Sequence, residues 1–229
     1  MKGKILIFTD LGGTLLREKD EKYDEEEMFR FLSQISRLEK LEDATAEMHI
    51  VSPMYEDQMQ RVLKRLDETF KTYNKRTGEN VSCVESAIAF PWEGADLGYR
   101  NNQDRITLMK FKNPISYGTE KANYVEGFID AYRNAKRFIY MGNGRNDILA
   151  MRKIREHNGV VICPSNCVAE AKALANYKSD KEDLSGITEG FSKLCGEIEQ
   201  SRLHSENNAD SKTFKPTQHA HTDPDEEER

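Results

Sequence analysis

The sequence predicts an α/β protein, a doubly wound parallel sheet with helices on both faces and a small insertion in place of a large cap. Three observations predict it. Short β-favouring runs alternate with amphipathic helical patterns, as in parallel strands joined by crossover helices. The first run, Ile5, Leu6, Ile7 and Phe8, is apolar at successive positions, the mark of a strand covered on both faces. Two such runs, at residues 5–8 and 138–141, end in glycine-bearing loops carrying a carboxylate. Ligands of parallel sheets bind at the carboxyl ends of the strands, where Asp10 and Asp147 fall.

The elements follow in order. The first strand ends in Thr9 and Asp10, and Gly12 and Gly13 open the turn after it. Residues 17–27 are mostly charged. Met28, Phe31, Leu32, Ile35, Leu38 and Leu41 then recur at helical spacing, one face of a helix packed on the sheet. Residues 48–51 read as a second strand. Pro53 lacks the N–H that a paired strand needs, so the strand is expected to end at Ser52 and leave its hydroxyl free. Met59, Val62, Leu63, Leu66, Phe70 and Tyr73 form a second helical stripe, closed near Gly78. A third strand is expected over 81–90, stopped by Pro91.

Residues 92–117 read as the insertion, irregular except for one strand over 106–111, with Phe90, Trp92 and Tyr99 beside its mouth. After Gly118 comes a helix bearing Lys121 near its start and Val125, Phe128, Ile129 and Tyr132 on its buried side. Residues 138–141 form a strand that runs into the loop GNGRND and a further helix. A last strand at 159–163, a short helix at 166–175 and a helix marked by Ile187, Phe191, Leu194 and Ile198 complete the core.

At 229 residues the chain fits one domain, expected over 1–203. Beyond Leu203 the only large apolar residue is Phe214, so residues 204–229 are expected to form a disordered acidic tail. The formal charge of −6 is concentrated there, seven acids facing three bases from His204 onward, which leaves about −2 for the body. That balance excludes the basic field that gathers phosphate backbones, so no nucleic-acid partner is expected. No run is long enough to span a bilayer or form a signal core, so no membrane partner and a cytoplasmic location are expected. Cys83, Cys163, Cys167 and Cys195 are read as reduced thiols, and His204, His219 and His221 as solvated tail.

Four stretches therefore fall at strand ends or adjoining helix starts: DLGGT with Asp10, IVS with Ser52, GTEK with Lys121, and GNGRND with Asn143, Asn146 and Asp147. Singly, each has an ordinary role: Ser52 as a turn cap, Lys121 as a solvated helix residue, Asp147 as a first-turn acid favoured by the helix dipole. In this order they resemble the four motifs of the haloacid dehalogenase-like (HAD-like) superfamily of phosphohydrolases, over roughly residues 4–194. The segment VICPSNCVAEAKALANY is similar to the one that follows the last motif in sugar-phosphatase-like members.

The resemblance implies a Rossmann-like core and an aspartyl-phosphate mechanism. Asp10 would be the nucleophile, Ser52 a hydrogen-bond donor to a phosphoryl oxygen, and Lys121 the balancing charge. Gly13, Thr14 and Asn146 would contact the substrate. Mg²⁺ would be held by Asp10, the Gly12 backbone carbonyl, Asn143 and Asp147. Two positions depart from the family. Gly12 stands where members carry the carboxylate that acts as general acid and base, worth about 10²- to 10⁴-fold. Asn143 stands where they carry a metal-binding Asp. Three readings stay open: a weak or specialised phosphohydrolase for substrates with good leaving groups such as acyl phosphates; a changed reaction on phosphonates or halogenated acids, whose family members also lack this Asp; and a silent pseudophosphatase that binds phosphate or a protein as a regulatory module. The small insertion leaves the site open, suiting a large or proteinaceous phosphorylated substrate, or closure by a neighbouring subunit of a homo-oligomer.

Overall fold

The computed structural model describes residues 2–82, 84–90, 107–110 and 117–213. In chain order the elements are β1 (Gly3–Thr9), α1 (Glu25–Glu42), β2 (Ala44–Tyr55), α2 (Glu56–Thr77), β3 (Val84–Phe90), β4 (Thr107–Lys110) and α3 (Tyr117–Ala131). There follow β5 (Arg137–Met141), α4 (Ile148–Glu156), β6 (Val160–Cys163), α5 (Ala169–Leu174), β7 (Tyr177–Lys178) and α6 (Asp183–Thr213). The described strands form one parallel sheet in the order β4-β3-β2-β1-β5-β6-β7.

β1 lies at the centre because its side chains are apolar on both faces. Ile5 and Ile7 join the cluster under α1, α2 and α6, whereas Leu6 and Phe8 join the cluster under α3 and α4. All four are fully buried. Their burial stabilises the fold by roughly 6–12 kcal/mol gross, at about 1.5–3 kcal/mol per side chain, before the entropy of ordering them is subtracted. The chain winds outward from β1 through β2, β3 and β4, then returns to β5 on the other side of β1. The crevice between those two directions opens at the carboxyl end of β1, beside β2 and β5.

The helices end where local chemistry stops them. Asp24 caps α1 by accepting the Glu27 amide at 2.9 Å, worth about 1 kcal/mol, and Glu25, Glu26 and Glu27 favour the positive end of the helix dipole. Gly78 ends α2 in the left-handed conformation, at φ 73°. α6 docks on α1 through an edge-on pair of Phe31 and Phe191, with ring centres 5.3 Å apart.

Four expectations are corrected. β2 does not end at Ser52 but continues through Pro53 to Tyr55, with its pairing to β3 interrupted between Val51 and Tyr55. Pro53 falls in that interruption, where its missing N–H removes no ladder bond. β3 starts at Val84, because the Asn74 side chain takes both the amide and the carbonyl of Val81 at 3.0 Å. Gly118 lies inside α3 and does not precede it.

α6 runs to Thr213, taking in the first ten residues of the expected tail, 204–213. Its docked part supplies the nucleus, after which each further turn adds a hydrogen bond at little cost. The Ser201 and Ser205 hydroxyls donate to carbonyls one turn back. Residues 214–229, most of the insertion with Trp92 and Tyr99, Cys83, His219 and His221 lie outside the described residues. The strand expected at 106–111 is β4 over its described part. Among the described residues no helix is long and apolar enough to cross a membrane.

Candidate active site

Asp10 leaves β1 at the crevice, where its amide donates to the Met141 carbonyl of β5 at 3.0 Å. The loop beyond it is a compact turn. The Leu11 carbonyl accepts the amides of Thr14, Leu15 and Leu16, and Gly13 N–H donates to the Leu16 carbonyl at 2.7 Å. Leu11, Leu15 and Leu16 are buried and anchor this turn in the core. Gly13 is required twice over: its φ is 67°, and a Cβ there would lie 2.1 Å from Asn143 Nδ2. At Gly12 a Cβ would meet nothing within 4 Å among the described residues.

Lys121 comes from the first turns of α3 and is fully buried, not solvated. Its ammonium lies 2.7 Å from Asp147 Oδ1 and 3.2 Å from Asp10 Oδ1. The approach to Asp10 is off hydrogen-bond geometry, and Asp10 Oδ1 is a buried oxygen without a hydrogen bond. Burial alone would lower the Lys121 pKa, but Asp10 and Asp147 together hold it above the ordinary lysine value. Burial pushes the Asp10 carboxyl up to about 6, with Asp147 adding to the rise and Lys121, the Leu11 amide and the Ser52 hydroxyl opposing it. Ser52, itself buried at the irregular end of β2, is thus brought onto Asp10.

Asp147 is the structural centre of the GNGRND loop. Its Oδ1 accepts from Lys121 at 2.7 Å and from the Tyr140 hydroxyl at 2.8 Å. Its Oδ2 accepts the backbone amides of Asn143 at 3.1 Å and Gly144 at 2.9 Å. A carboxylate offers about four lone-pair positions, and here four donors fill them. Burial drives the Tyr140 hydroxyl well above its usual pKa, so it stays a donor.

Asp10, Ser52, Lys121 and Asp147 are therefore brought together, with Gly12 and Asn143 half-exposed beside them. Thr14 is not placed to contact a ligand. It is fully buried and its hydroxyl donates to Asn143 Oδ1 at 3.3 Å, tying the two loops together. Asn146 is half-buried in the loop, its side-chain oxygen turned towards Gly144.

The sequence reading missed two residues. Tyr140 was visible only as a hydroxyl-bearing residue in an otherwise apolar strand. Asn166, within the segment after the last motif, donates to the Gly13 carbonyl at 3.0 Å and to Asp183 at 2.9 Å, bracing the glycine turn. The same connection clamps the loop from behind: Val168 N–H donates to the Asn143 carbonyl at 2.9 Å, and the Cys167 thiol faces the Gly142 carbonyl.

The expected metal set fits Mg²⁺ in kind but is smaller than expected. Among the described residues no three His, Cys, Asp or Glu side chains gather to hold a metal. Asp147 is already saturated, which removes it from the expected ligands. There remain Asp10, with its unbonded buried oxygen, the Gly12 carbonyl and the Asn143 amide oxygen. All are hard oxygen donors, as Mg²⁺ prefers, but only one is charged.

The chain is similar in structure to the cobalt-bound form of deoxy-D-mannose-octulosonate 8-phosphate phosphatase from Haemophilus influenzae, at 12% identity and a TM-score of 0.46, over 85% of this chain and 86% of that one. It is also similar to a haloacid dehalogenase-like hydrolase protein from Bacillus subtilis, at 14% identity and a TM-score of 0.42, over 83% and 88% of the two chains. No protein-family model and no curated protein sequence matches the chain. What the protein does must be read from its side chains.

Proposed function

We propose that this protein is a HAD-like phosphohydrolase with Asp10 as its nucleophile. The observation that supports it most is the fully buried Lys121 held between Asp10 and Asp147, at the sheet position where parallel folds bind ligands. A scaffold gains little from burying an ammonium between two carboxylates, because desolvation consumes most of the attraction. A phosphoryl site gains a fixed positive charge that needs no reorganisation when a phosphate arrives.

In this reading a carboxylate oxygen of Asp10 attacks phosphorus, and the bond from phosphorus to the leaving oxygen breaks with its electron pair. Lys121 and the Ser52 hydroxyl hold the phosphoryl oxygens in line. Water then attacks the aspartyl-phosphate, restoring the carboxylate and releasing phosphate. Asp10, the Gly12 carbonyl and Asn143 would hold a Mg²⁺, which would supply charge neutralisation at the phosphoryl oxygens. Asp147 keeps Lys121 and the loop in position, and Asn146 stands at the rim where a substrate enters. With Gly12 in place of an acid, the leaving oxygen departs unprotonated, so turnover is fast only for leaving groups that are weak bases.

The test is hydrolysis of acetyl phosphate and p-nitrophenyl phosphate, with and without Mg²⁺, by the wild type beside Asp10→Asn. Metal-dependent turnover that disappears in Asp10→Asn is the expected result. Turnover no greater than that of the variant overturns the proposal and leaves a silent binding module.

A further inference from the structure

Resting on that hydrolase reading of the site, we propose that the substrate is a phosphoanhydride, entering as the complex of its diphosphate with a divalent cation. Two separate features of the site converge on this class.

The first concerns the leaving group. Among the described residues, the side chains beside Asp10 that could donate a proton are committed elsewhere. Gly12 has no side chain. The Lys121 ammonium is engaged by two carboxylates, 2.7 Å from Asp147 Oδ1 and 3.2 Å from Asp10 Oδ1. The Tyr140 hydroxyl donates to Asp147 in full burial, and the Ser52 hydroxyl faces the nucleophile itself. Among the described residues none of these groups is free to protonate an alkoxide as it departs, so the site suits a bond whose rupture releases a weak base. A phosphate released from an anhydride is such a base, as is a carboxylate released from an acyl phosphate.

The second concerns charge, and it separates those two candidates. Asp10, Asp147 and Lys121 together carry a formal charge of −1 once Asp10 is ionised, which repels a phosphate dianion arriving alone. A divalent cation arriving alone finds one carboxylate, Asp10, with the Lys121 ammonium 3.2 Å from its Oδ1. Asn143 is neutral and Asp147 saturated. Each partner is therefore poorly held without the other, and the missing anionic ligands must come from the substrate. A diphosphate chelates a cation through oxygens of two phosphoryl groups, whereas an acyl phosphate or a monoester offers one. Beside Gly12 a Cβ would meet nothing within 4 Å among the described residues, so no side chain at position 12 crowds the second phosphoryl group.

Titration calorimetry on the wild-type chain tests this without turnover. The probes are Mg²⁺ alone, the non-hydrolysable imidodiphosphate with and without Mg²⁺, and methylphosphonate with Mg²⁺. Imidodiphosphate with Mg²⁺ is expected to bind at least tenfold more tightly than methylphosphonate with Mg²⁺, and at least tenfold more tightly than imidodiphosphate without the metal. Binding should be lost in Asp10→Ala. In Gly12→Asp combined with Asn143→Asp, Mg²⁺ alone should bind more tightly, and the preference for the diphosphate should narrow at least threefold.

Equal affinity for the two phosphorus probes, or metal-independent binding of imidodiphosphate, overturns the anhydride proposal. So does binding that survives Asp10→Ala. The hydrolase reading stands or falls separately, on whether turnover of p-nitrophenyl phosphate depends on Asp10.

Discussion

Replacing Asp147 with Asn tests whether this carboxylate holds the site together. The substitution preserves shape but leaves one oxygen where there were two. If that oxygen keeps the amides of Asn143 and Gly144, the new NH₂ group faces two donors, Lys121 and Tyr140. Removing one partner of a buried ion pair costs about 3–5 kcal/mol, and an orphaned buried hydroxyl about 1–3 kcal/mol. Asp10 remains 3.2 Å from Lys121 and compensates part of the charge, so the loss should lie near the low end, about 3 kcal/mol. For a chain of this size that lowers the melting temperature by roughly 6–12 °C. Urea unfolding at pH 7.5 reads it directly. Adding Lys121→Met removes the stranded cation, so the double variant should be less destabilised than the sum of the single ones by about 2 kcal/mol. A loss below about 1 kcal/mol for Asp147→Asn, or additivity within about 0.5 kcal/mol, refutes the role assigned to Asp147.

Three further outcomes are expected. Asp10 has a folded pKa of about 6 against an ordinary 3.8. Its stabilising proton is therefore present below about pH 4 and lost as pH rises through 6, so Asp10→Asn should match the wild type at pH 4 and exceed it by about 3 kcal/mol at pH 7.5. A gap that does not change with pH in urea unfolding contradicts this. His49 is buried beside Phe8 and Phe128, its Nε2 unpaired and its pKa lowered to about 4 by burial and, secondarily, by Lys4. Stability is then present above about pH 6.5 and lost on acidification, so the wild type should lose about 2 kcal/mol between pH 7 and 5 relative to His49→Phe. Parallel curves for the two proteins reject it. Gly13→Ala forces a Cβ onto Asn143 at a positive φ and should cost about 1–3 kcal/mol, whereas Gly12→Ala meets open space and should stay within about 0.5 kcal/mol. Thermal unfolding by circular dichroism separates the two, and equal shifts would disprove the reasoning.

The fold was legible where burial imposes a pattern. The unbroken apolar run from Ile5 to Phe8 reads as a central strand because its neighbours fall alternately into the two core clusters. Met28, Phe31, Leu32, Ile35 and Leu38 recur at helical spacing because α1 buries one face, and all five are buried. Legibility fails where no side-chain pattern governs the outcome. β7 pairs through two residues, too few to show a period. Pro53 sits inside β2 because a strand can lose its register for a few residues and resume, which propensity alone does not anticipate. The end of α6 depends on a helix outrunning its docked face, and the polar residues after Leu203 give no sign of it.

The site was legible to a different depth. Spacing and residue type placed Asp10, Ser52, Lys121 and Asp147 at strand ends or adjoining helix starts, and the fold brings them together. What the sequence could not reveal is how many donors converge on each carboxylate. Asp147 read as a metal ligand because it is an acid in a loop of the right form. Two of its four donors are amides of its own loop, the third is Tyr140, and the fourth is Lys121 from another helix. None of these is visible as an acid-to-ligand spacing. The same bracing bears on positions 12 and 143. Because Asp147, Tyr140 and the connection through Asn166 hold the loops by the chain's own hydrogen bonds, the architecture needs no carboxylate at position 12 or 143. On the proposed hydrolase reading, the side chains at these two positions set which bonds the site can break, while Asp10 and Lys121 supply the nucleophile and the fixed charge.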